Sequence, residues 1–408
     1  MTGGSVLILE CHRQTLAAAW ALKAAGFTPV LGFQPGREED RFVTFSRVTD
    51  QYLMHGRWGD PGLADALATW LRAPGGARLI LPAGEACLPV LMELRHRAPD
   101  CARQILLPSD TVIRRALAKE GYSAWGQALG LTEELGLPPT REVRGRAGIQ
   151  AAGRAMGYPL ALKPLNSNTH VLGRKCLFVE SEAMLDALDL SAHGKRPLLA
   201  QRKAVGRRHN VMFLAQEGRV THRFECEVLR TDVFDGTGYG VDVRGVAPHP
   251  AHIRAVEALA ARFEWDGLGC AQFMFDAKTG RSQFLEINPR IDANIAAAAL
   301  AGINLVGEAA RARLGRSTQP KTSYRTGRRL HWVLADLDGL REPGLTAAQR
   351  RRRARDLLRA ACLAHGHAVF RWRDPLPAIY LGYRWVGGTV KSALRRVVGR
   401  ARPRRQNA

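Results

Sequence analysis

The feature that most constrains this fold is a pair of strand-like segments, CAQFMFD and SQFLEIN, separated by the turn-forming sequence AKTGR. This arrangement predicts a β-hairpin. Because side chains alternate along a strand, Glu286 and Asn288 share one face, and Gln272 on the partner strand can face them. Three oxygen-bearing side chains at one spot favour a hard cation such as Mg²⁺, and Arg290 follows as a clamp for a phosphate or acyl phosphate.

Glu286 and Asn288 by themselves would fit a second interpretation equally well. A carboxylate at a strand end can cap the helix predicted from the alanine-rich segment NIAAAALAGINL. Gln272 at a matching register and the exit sequence NPR favour the cation site over this capping role.

The first 110 residues contain two repeats of a strand followed by a helix, beginning at VLILE and at RLILPAG. This pattern predicts a small parallel α/β lobe. Gly3 and Gly4 precede the first strand, and no GxGxxG motif follows it, so the lobe is interpreted as a scaffold. Ser109 or Asp110 is predicted to cap the next helix.

Composition narrows the class of protein. A chain of 408 residues with 46% hydrophobic residues is expected to form two to four lobes. It has no run of 18 apolar residues and no basic segment of a secretory signal, which predicts a cytoplasmic location. Its 7 cysteines are scattered without a CxxC pair, which argues against a disulfide framework or a zinc knuckle.

The net charge of +23 is concentrated near the C-terminus. From residue 341 onward there are 17 Lys and Arg residues against 3 acids. Residues up to about Val390 are predicted to form an integral lobe. The remaining basic tail is expected to serve an acidic partner, a weak contact with an anionic membrane or another polyanion, or solubility alone.

The order Gln272, Glu286, Asn288 and Arg290 before an alanine-rich helix resembles the ATP-grasp superfamily. Within that superfamily, it resembles the ATP-grasp domains of the carbamoyl-phosphate synthase large subunit and related carboxylate–amine ligases. It extends over roughly residues 6–314. It implies an α/β (α+β) fold, with an N-terminal Rossmann-like pre-ATP-grasp lobe, an ATP-grasp domain and a C-terminal extension. It also implies ATP as cofactor, with Mg²⁺ or Mn²⁺ held by Gln272, Glu286 and Asn288.

The expected domain boundaries follow from this resemblance. They are the pre-ATP-grasp lobe 1–110, the small lid subdomain with its preceding helix 111–200, the metal and nucleotide subdomain 201–318, the C-terminal lobe 319–390 and the basic tail 391–408.

The resemblance also implies a set of nucleotide-binding residues. These are Lys119, Lys163, Gln201, Arg202, Ala204 and His209. Lys163 would contact the α- and β-phosphates, and Lys119 would face the phosphates or the nucleotide. The alternatives are that Lys163 is a strand lysine reaching solvent, that Lys119 is solvated, and that His209 is a structural histidine.

The sequence departs from the family pattern at three places. Gln201 or Arg202 stands where the hinge usually has a glutamate for adenine, and His209 stands where an acid usually binds ribose. The segment LNSNTHVLGRK replaces the usual glycine-rich lid and is expected to close over the phosphates.

The implied function is an ATP-dependent carboxylate–amine ligase. A small-molecule carboxylate would take the γ-phosphate to give an acyl phosphate, and an amine would then displace phosphate, with Lys163 and Arg290 as catalytic residues. Two alternatives remain from the residues: a non-catalytic nucleotide-binding module, suggested by the hinge and lid, and a basic protein associated with a membrane or polyanion, suggested by the tail.

Overall fold

The computed structural model describes residues 3–37, 39–165, 170–191 and 196–400. The N-terminal lobe is a four-stranded parallel sheet of order β3-β2-β1-β4, as the two strand–helix repeats predict. Its strands are β1 (Ser5–Leu9), β2 (Thr28–Phe33), β3 (Tyr52–Met54) and β4 (Arg78–Pro82), and its helices are α1 (Arg13–Ala24), α2 (Leu63–Arg72) and α3 (Leu88–Arg97). Because helices cover both faces, β1 and β4 are almost wholly buried and read as continuous apolar runs.

A helical connection leads from this lobe to the second one. Its helices are α4 (Asp110–Leu117), α5 (Tyr122–Ala128) and α6 (Thr132–Leu135), with a 3₁₀ turn at Lys119–Gly121. The side chain of Ser109 accepts a hydrogen bond from the Val112 amide and so caps α4, which confirms one of the two predicted capping residues.

The second sheet is small and antiparallel, with order β5-β8-β6-β7. Its strands are β5 (Thr140–Arg144), β6 (Leu160–Pro164), β7 (Leu177–Val179) and β8 (Pro197–Arg202), and helices α7 (Gly145–Met156) and α8 (Glu182–Ala187) pack on it. The expected lid begins in this lobe. Residues 166–169 of that segment lie outside the described residues, and Val171 and Arg174 beyond them form an isolated bridge.

The third sheet has seven strands in the order β13-β12-β9-β10-β11-β14-β15. The strands are β9 (Arg207–Gln216), β10 (Arg219–Thr231), β11 (Gly240–Gly245), β12 (Gly267–Asp276), β13 (Arg281–Asn288), β14 (Arg329–His331) and β15 (Gly366–His367). The helices of this part are α9 (Pro250–Arg262), α10 (Ile295–Ala301) and α11 (Leu305–Arg313). The predicted hairpin is present as β12–β13, and β9 and β10 form a second antiparallel hairpin.

The two faces of this large sheet have different neighbours. Helix α9 covers one face through a core that includes Phe213, Phe273 and Trp265. On the other face, Met212 and Cys270 belong to a core shared with α1 of the N-terminal lobe and with α10 and α11. The remainder of that second face is polar and lies opposite the small sheet, which leaves a cleft between the two sheets.

The C-terminal segment extends the large sheet. Strands β14 and β15 join its edge. Helices α12 (Val333–Gly339) and α13 (Ala347–Leu363) lie between these strands in the sequence, and α14 (Leu376–Arg400) follows β15. The boundary expected at residue 318 therefore divides strands of one sheet. Helix α14 also runs across the boundary expected at residue 390, so no change of secondary structure marks the start of the predicted tail; residues 401–408 of that tail lie outside the described residues.

Across the described part of the chain, no single helix is long and apolar enough to cross a membrane. Only α10 and α11 taken together, which meet at 97°, reach that length and composition.

Candidate active site

The hairpin β12–β13 brings the three predicted metal ligands together. Gln272 and Glu286 are direct register partners, so their side chains share the face that borders the cleft. Asn288, two residues further along, donates a hydrogen bond from Nδ2 to Glu286 Oε1 at 3.3 Å. One carboxylate and two side-chain amides on the same face form a donor set that fits a hard divalent cation.

Lys119 reaches this hairpin from the 3₁₀ turn after α4. Its Nζ donates to Glu286 Oε2 at 2.6 Å, and both side chains are about three-quarters buried. Burial by itself would raise the pKa of Glu286, but the Lys119 ammonium outweighs that effect and holds the pKa well below its usual range. Glu286 is therefore a carboxylate at neutral pH and is able to bind a cation.

Lys163 faces the same cleft from β6 of the small sheet. Its Nζ donates to Gln201 Oε1 at 2.8 Å, and Gln201 Nε2 donates in turn to Thr140 Oγ1 at 3.0 Å. Burial lowers the pKa of Lys163, and the nearby Lys119 ammonium acts in the same direction. Both lysines line a cavity between the sheets whose other walls include apolar side chains such as Leu199, a combination that suits a base next to phosphates.

The predicted hinge connects the small sheet to the large one. Ala204 lies in the link between β8 and β9, and Gly206 follows at φ 116°, where any Cβ would overlap the Phe275 carbonyl. Arg202 is exposed and alternates to the side opposite Gln201. Of the two predicted hinge side chains, only Gln201 faces the cleft, so the suggested adenine contact by the Arg202 side chain is corrected.

His209 lies on the wrong face of the large sheet for its predicted role. Its register partner on β12 is Phe273, so it points toward α9, whereas Gln272 points into the cleft. There Glu225 Oε1 accepts hydrogen bonds from Nδ1 of His209 at 2.7 Å and from Nδ1 of His252 at 2.8 Å. Burial alone would raise the pKa of Glu225, but these hydrogen bonds outweigh it and lower the pKa to about 2. The ribose contact is therefore corrected to a structural role.

Replacing His209 by glutamine is expected to lower the melting temperature and to leave nucleotide affinity within about two-fold. The change weakens one hydrogen bond to the buried Glu225 carboxylate, which costs about 1–2 kcal/mol of stability, and it touches nothing in the cleft. Thermal unfolding and calorimetric titration with ADP measure the two effects separately. A large loss of ADP affinity at unchanged stability would restore the ribose role.

Arg290 lies where the cleft meets the N-terminal lobe. Its Nη2 forms an ion pair with Glu85 Oε1 at 3.1 Å, and its Nη1 donates to the Ile291 carbonyl at 2.9 Å. Glu85 follows β4, at the carboxyl end of a parallel strand, which is where α/β sheets usually bind ligands. Its position after the predicted strand RLILPAG is a signal that sequence reasoning could have used.

Two further arginines near this point, the buried Arg13 and the partly buried Arg208, were missed by sequence reasoning. Arg208 shares the face of Gln272, donates to the Gly238 carbonyl at 2.9 Å, and has an Nε without a hydrogen-bond partner among the described residues. Arg13 donates to Asn294 Oδ1 at 3.0 Å and lies 4.2 Å from the centre of the Trp332 ring. Burial lowers the pKa of Arg13 to about 10, so it remains cationic at neutral pH.

Comparisons with known proteins agree with this architecture. The model of a family described as "ATP-grasp in the biosynthetic pathway with Ter operon" matches residues 213–335, which include the whole hairpin β12–β13. No curated protein matches the sequence.

Several solved structures have a similar fold at low sequence identity. A biotin carboxylase from Campylobacter jejuni, in complex with β,γ-ATP, is 18% identical with a TM-score of 0.55, covering 80% of this chain and 74% of that one. N5-carboxyaminoimidazole synthetase from Staphylococcus aureus, complexed with ADP, is 13% identical with a TM-score of 0.59, covering 80% of each chain. A Rhizobium etli pyruvate carboxylase is 19% identical with a TM-score of 0.56; 78% of this chain is covered but only 30% of that one.

The fold is thus α/β with three sheets, and it is similar overall to these structures. The chain has the ATP-grasp fold, and the resemblance of its sequence to the ATP-grasp superfamily is confirmed.

Proposed function

We propose that this protein is an ATP-dependent ligase that joins a carboxylate to an amine. The observation that carries the proposal is the meeting of Lys119, Lys163 and Glu286 at one cleft. These side chains come from a connecting turn, the small sheet and the large sheet, and the charges of the two lysines both act on the Glu286 carboxylate. Two buried cations beside an ionised carboxylate suit a nucleotide polyphosphate bound with a divalent cation.

The roles of the residues follow from their positions. Gln272, Glu286 and Asn288 would hold Mg²⁺ or Mn²⁺, which when bound neutralises the charge on the terminal phosphates. Lys163 would contact the α- and β-phosphates, and Lys119 would exchange its contact with Glu286 for a phosphate oxygen. Gln201 and the backbone at Ala204 would receive the adenine at the hinge.

The carboxylate substrate would bind at the arginine side of the cleft. Arg13, Arg208 and Arg290 all lie within electrostatic range of Asp292. Arg13 and Arg208 are also near Asp232, and Arg290 pairs with Glu85. A guanidinium fork matches a carboxylate in shape and charge, and Arg208 has a buried N–H group without a partner among the described residues. The Nε groups of Arg208 and Arg290, both buried without a hydrogen-bond partner among the described residues, support an anionic substrate here.

The proposed reaction has two steps. A carboxylate oxygen of the substrate attacks the γ-phosphorus of ATP, the bond to the β–γ bridging oxygen breaks, and ADP leaves. The amine nitrogen then attacks the acyl carbon, the bond to the phosphate oxygen breaks, and the amide forms with loss of one proton and release of phosphate. Arg290 would stabilise the charge that develops on the acyl phosphate.

The test of this function is ADP release from MgATP in the presence of amino acids, short peptides and small dicarboxylates, supplied singly and in pairs. A ligase sustains ADP release over many turnovers only when both a carboxylate and an amine are present, and it then forms an equal amount of amide, which mass spectrometry detects. Binding of ATP without substrate-dependent ADP release would favour the non-catalytic nucleotide-binding module.

Replacing Arg290 by alanine is expected to lower ADP release by about 100-fold and to leave the affinity for MgATP within about three-fold. Arg290 contacts Glu85 at the substrate end and neither of the two lysines, so its loss removes stabilisation of the developing charge. The matched control is Arg254→Ala, an exposed arginine on α9 at the other face of the sheet. Equal losses in both variants, or a loss of ATP affinity alone, would contradict this role.

A further inference from the structure

Helix α14 presents an apolar stripe to solvent. Leu376, Ile379, Tyr383 and Val386 recur at intervals of three and four residues and therefore lie along one side of the helix. Ile379 is 59% exposed, Tyr383 76% and Val386 55%, while Trp372 just before the helix is 89% exposed. We call these five residues the outward stripe. A continuous apolar surface of this kind on a basic protein calls for a covering partner.

The opposite side of α14 is fixed to the body of the protein. Tyr380 stacks on Phe45 with ring centres 4.4 Å apart. Trp385 donates from Nε1 to Asp338 Oδ1 at 2.7 Å, and the Arg341 guanidinium lies 3.8 Å from the centre of its ring. The helix therefore lies flat on the protein, and the outward stripe faces away from it along the whole length from residue 376 to residue 386.

The charged residues of the helix itself and of the segment after it have a single sign. From Pro375 to Ala408 the sequence has eight Lys and Arg residues and no acid. Arg373 and Arg384, which flank and interrupt the stripe, are exposed. The acid that precedes this segment in the sequence, Asp374, is buried and accepts hydrogen bonds from Trp20 Nε1 and the Arg47 amide, so it is turned inward. The exposed Asp338 accepts its hydrogen bond from Trp385 on the side of α14 that faces the protein. Glu39 lies within electrostatic range of Arg384.

We propose that α14 lies in the headgroup layer of an anionic lipid membrane, with the outward stripe inserted and the surrounding cations on the lipid phosphates. An aromatic and aliphatic stripe bordered by arginines, on a helix parallel to the surface, is the pattern of an interfacial amphipathic helix. A nucleic acid would pair with the cations but leave Ile379 and Val386 in water. An acid-free segment of this length also fits a uniformly anionic surface better than a protein surface of mixed charge.

The experiment is flotation of the full chain with vesicles of phosphatidylcholine alone or with about 30 mol% phosphatidylglycerol. We expect binding only to the anionic vesicles, with binding weakened as salt rises from about 0.1 M to about 0.5 M. A double variant, Ile379→Glu with Tyr383→Glu, is expected to bind at least about ten-fold less. Both positions are exposed, so the unfolding curve should be unchanged. Anionic vesicles should also change the tryptophan fluorescence of Trp372→Phe less than that of the unmodified chain, because Trp372 belongs to the inserted stripe.

The matched control carries the same two charge changes on another exposed apolar pair. Leu358 and Leu363 on α13 are 64% and 49% exposed, and Leu358→Glu with Leu363→Glu is expected to bind anionic vesicles like the unmodified chain. The proposal is overturned if the chain does not float with anionic vesicles, or if the Ile379/Tyr383 variant floats as well as the control. It is also overturned if the chain is a dimer that this variant dissociates without lipid, because a second copy then covers the stripe.

Discussion

Replacing Glu286 by glutamine is expected to reduce ADP release by about a thousand-fold or more. Glu286 supplies the only negative charge among the three proposed metal ligands, since Gln272 and Asn288 are neutral amides. Without that charge, a divalent cation would meet the ammonium groups of Lys119 and Lys163 with nothing to offset their repulsion. The measurement is ADP release at saturating MgATP with an active substrate pair.

The same replacement is also expected to destabilise the nucleotide-free protein. Glu286 and Lys119 form a largely buried ion pair at 2.6 Å, and removing one partner leaves the other charge uncompensated, at a cost of about 2 kcal/mol. Adding Lys119→Met to Glu286→Gln should restore stability but not turnover, which separates the two roles of the carboxylate. Glu257→Gln, at a half-exposed ion pair with Arg223 on the sheet's other side, serves as the control. Full ADP release by Glu286→Gln would exclude the proposed metal site.

Replacing Lys163 by methionine is expected to weaken ATP and ADP binding by about 10- to 100-fold. The Lys163 ammonium is desolvated at the cleft, and among the described residues its one hydrogen-bond acceptor is the neutral Gln201 amide, so phosphate would be its charged partner. Calorimetric titration with each nucleotide measures this loss. Lys203→Met is the control, because Lys203 pairs with Glu180 at the surface, 2.7 Å away. Similar losses in both variants would exclude a specific phosphate contact.

The pH dependence gives a second readout for Lys163. Burial lowers its pKa in the folded protein, so its charged form is disfavoured there relative to the unfolded chain. The charge therefore costs stability at neutral pH, and this cost falls as the pH rises from the lowered pKa of the folded protein to the ordinary lysine pKa of the unfolded chain. Lys163→Met should accordingly be as stable as the unmodified chain or more so. Nucleotide affinity should fall with rising pH earlier than for an ordinary lysine, and that dependence should be absent in the variant.

The local sequence pattern was sufficient to predict the hairpin β12–β13 and the parallel sheet of the N-terminal lobe. Strand alternation and the turn AKTGR placed Gln272, Glu286 and Asn288 on one face because their relation depends only on neighbours within the same hairpin. Repeated strand–helix units likewise predicted the parallel sheet that the structure contains. Lys119 and Lys163 were found by resemblance to a family, and the structure places both at the cleft.

The position of His209 could not be predicted from the sequence alone. Alternation along β9 determines that His209 and Asn210 point to opposite faces of the sheet. Which of these faces borders the cleft depends on the pairing of β9 with β12 and on helix α9, which covers the face of His209. Arg208 and Arg13 were missed for the same reason, because only the assembled sheets bring them to the arginine side of the cleft.

The sequence by itself therefore determined that the three proposed ligands share one face of the hairpin, because that geometry follows from period-two alternation over neighbouring residues. The tertiary structure alone decided which charges surround that set. The Lys119–Glu286 pair joins residues 167 positions apart, and the Arg290–Glu85 pair joins residues 205 apart. Such contacts form only when separate cores pack together, because hydrophobic burial that carries no local sequence pattern fixes how the lobes meet.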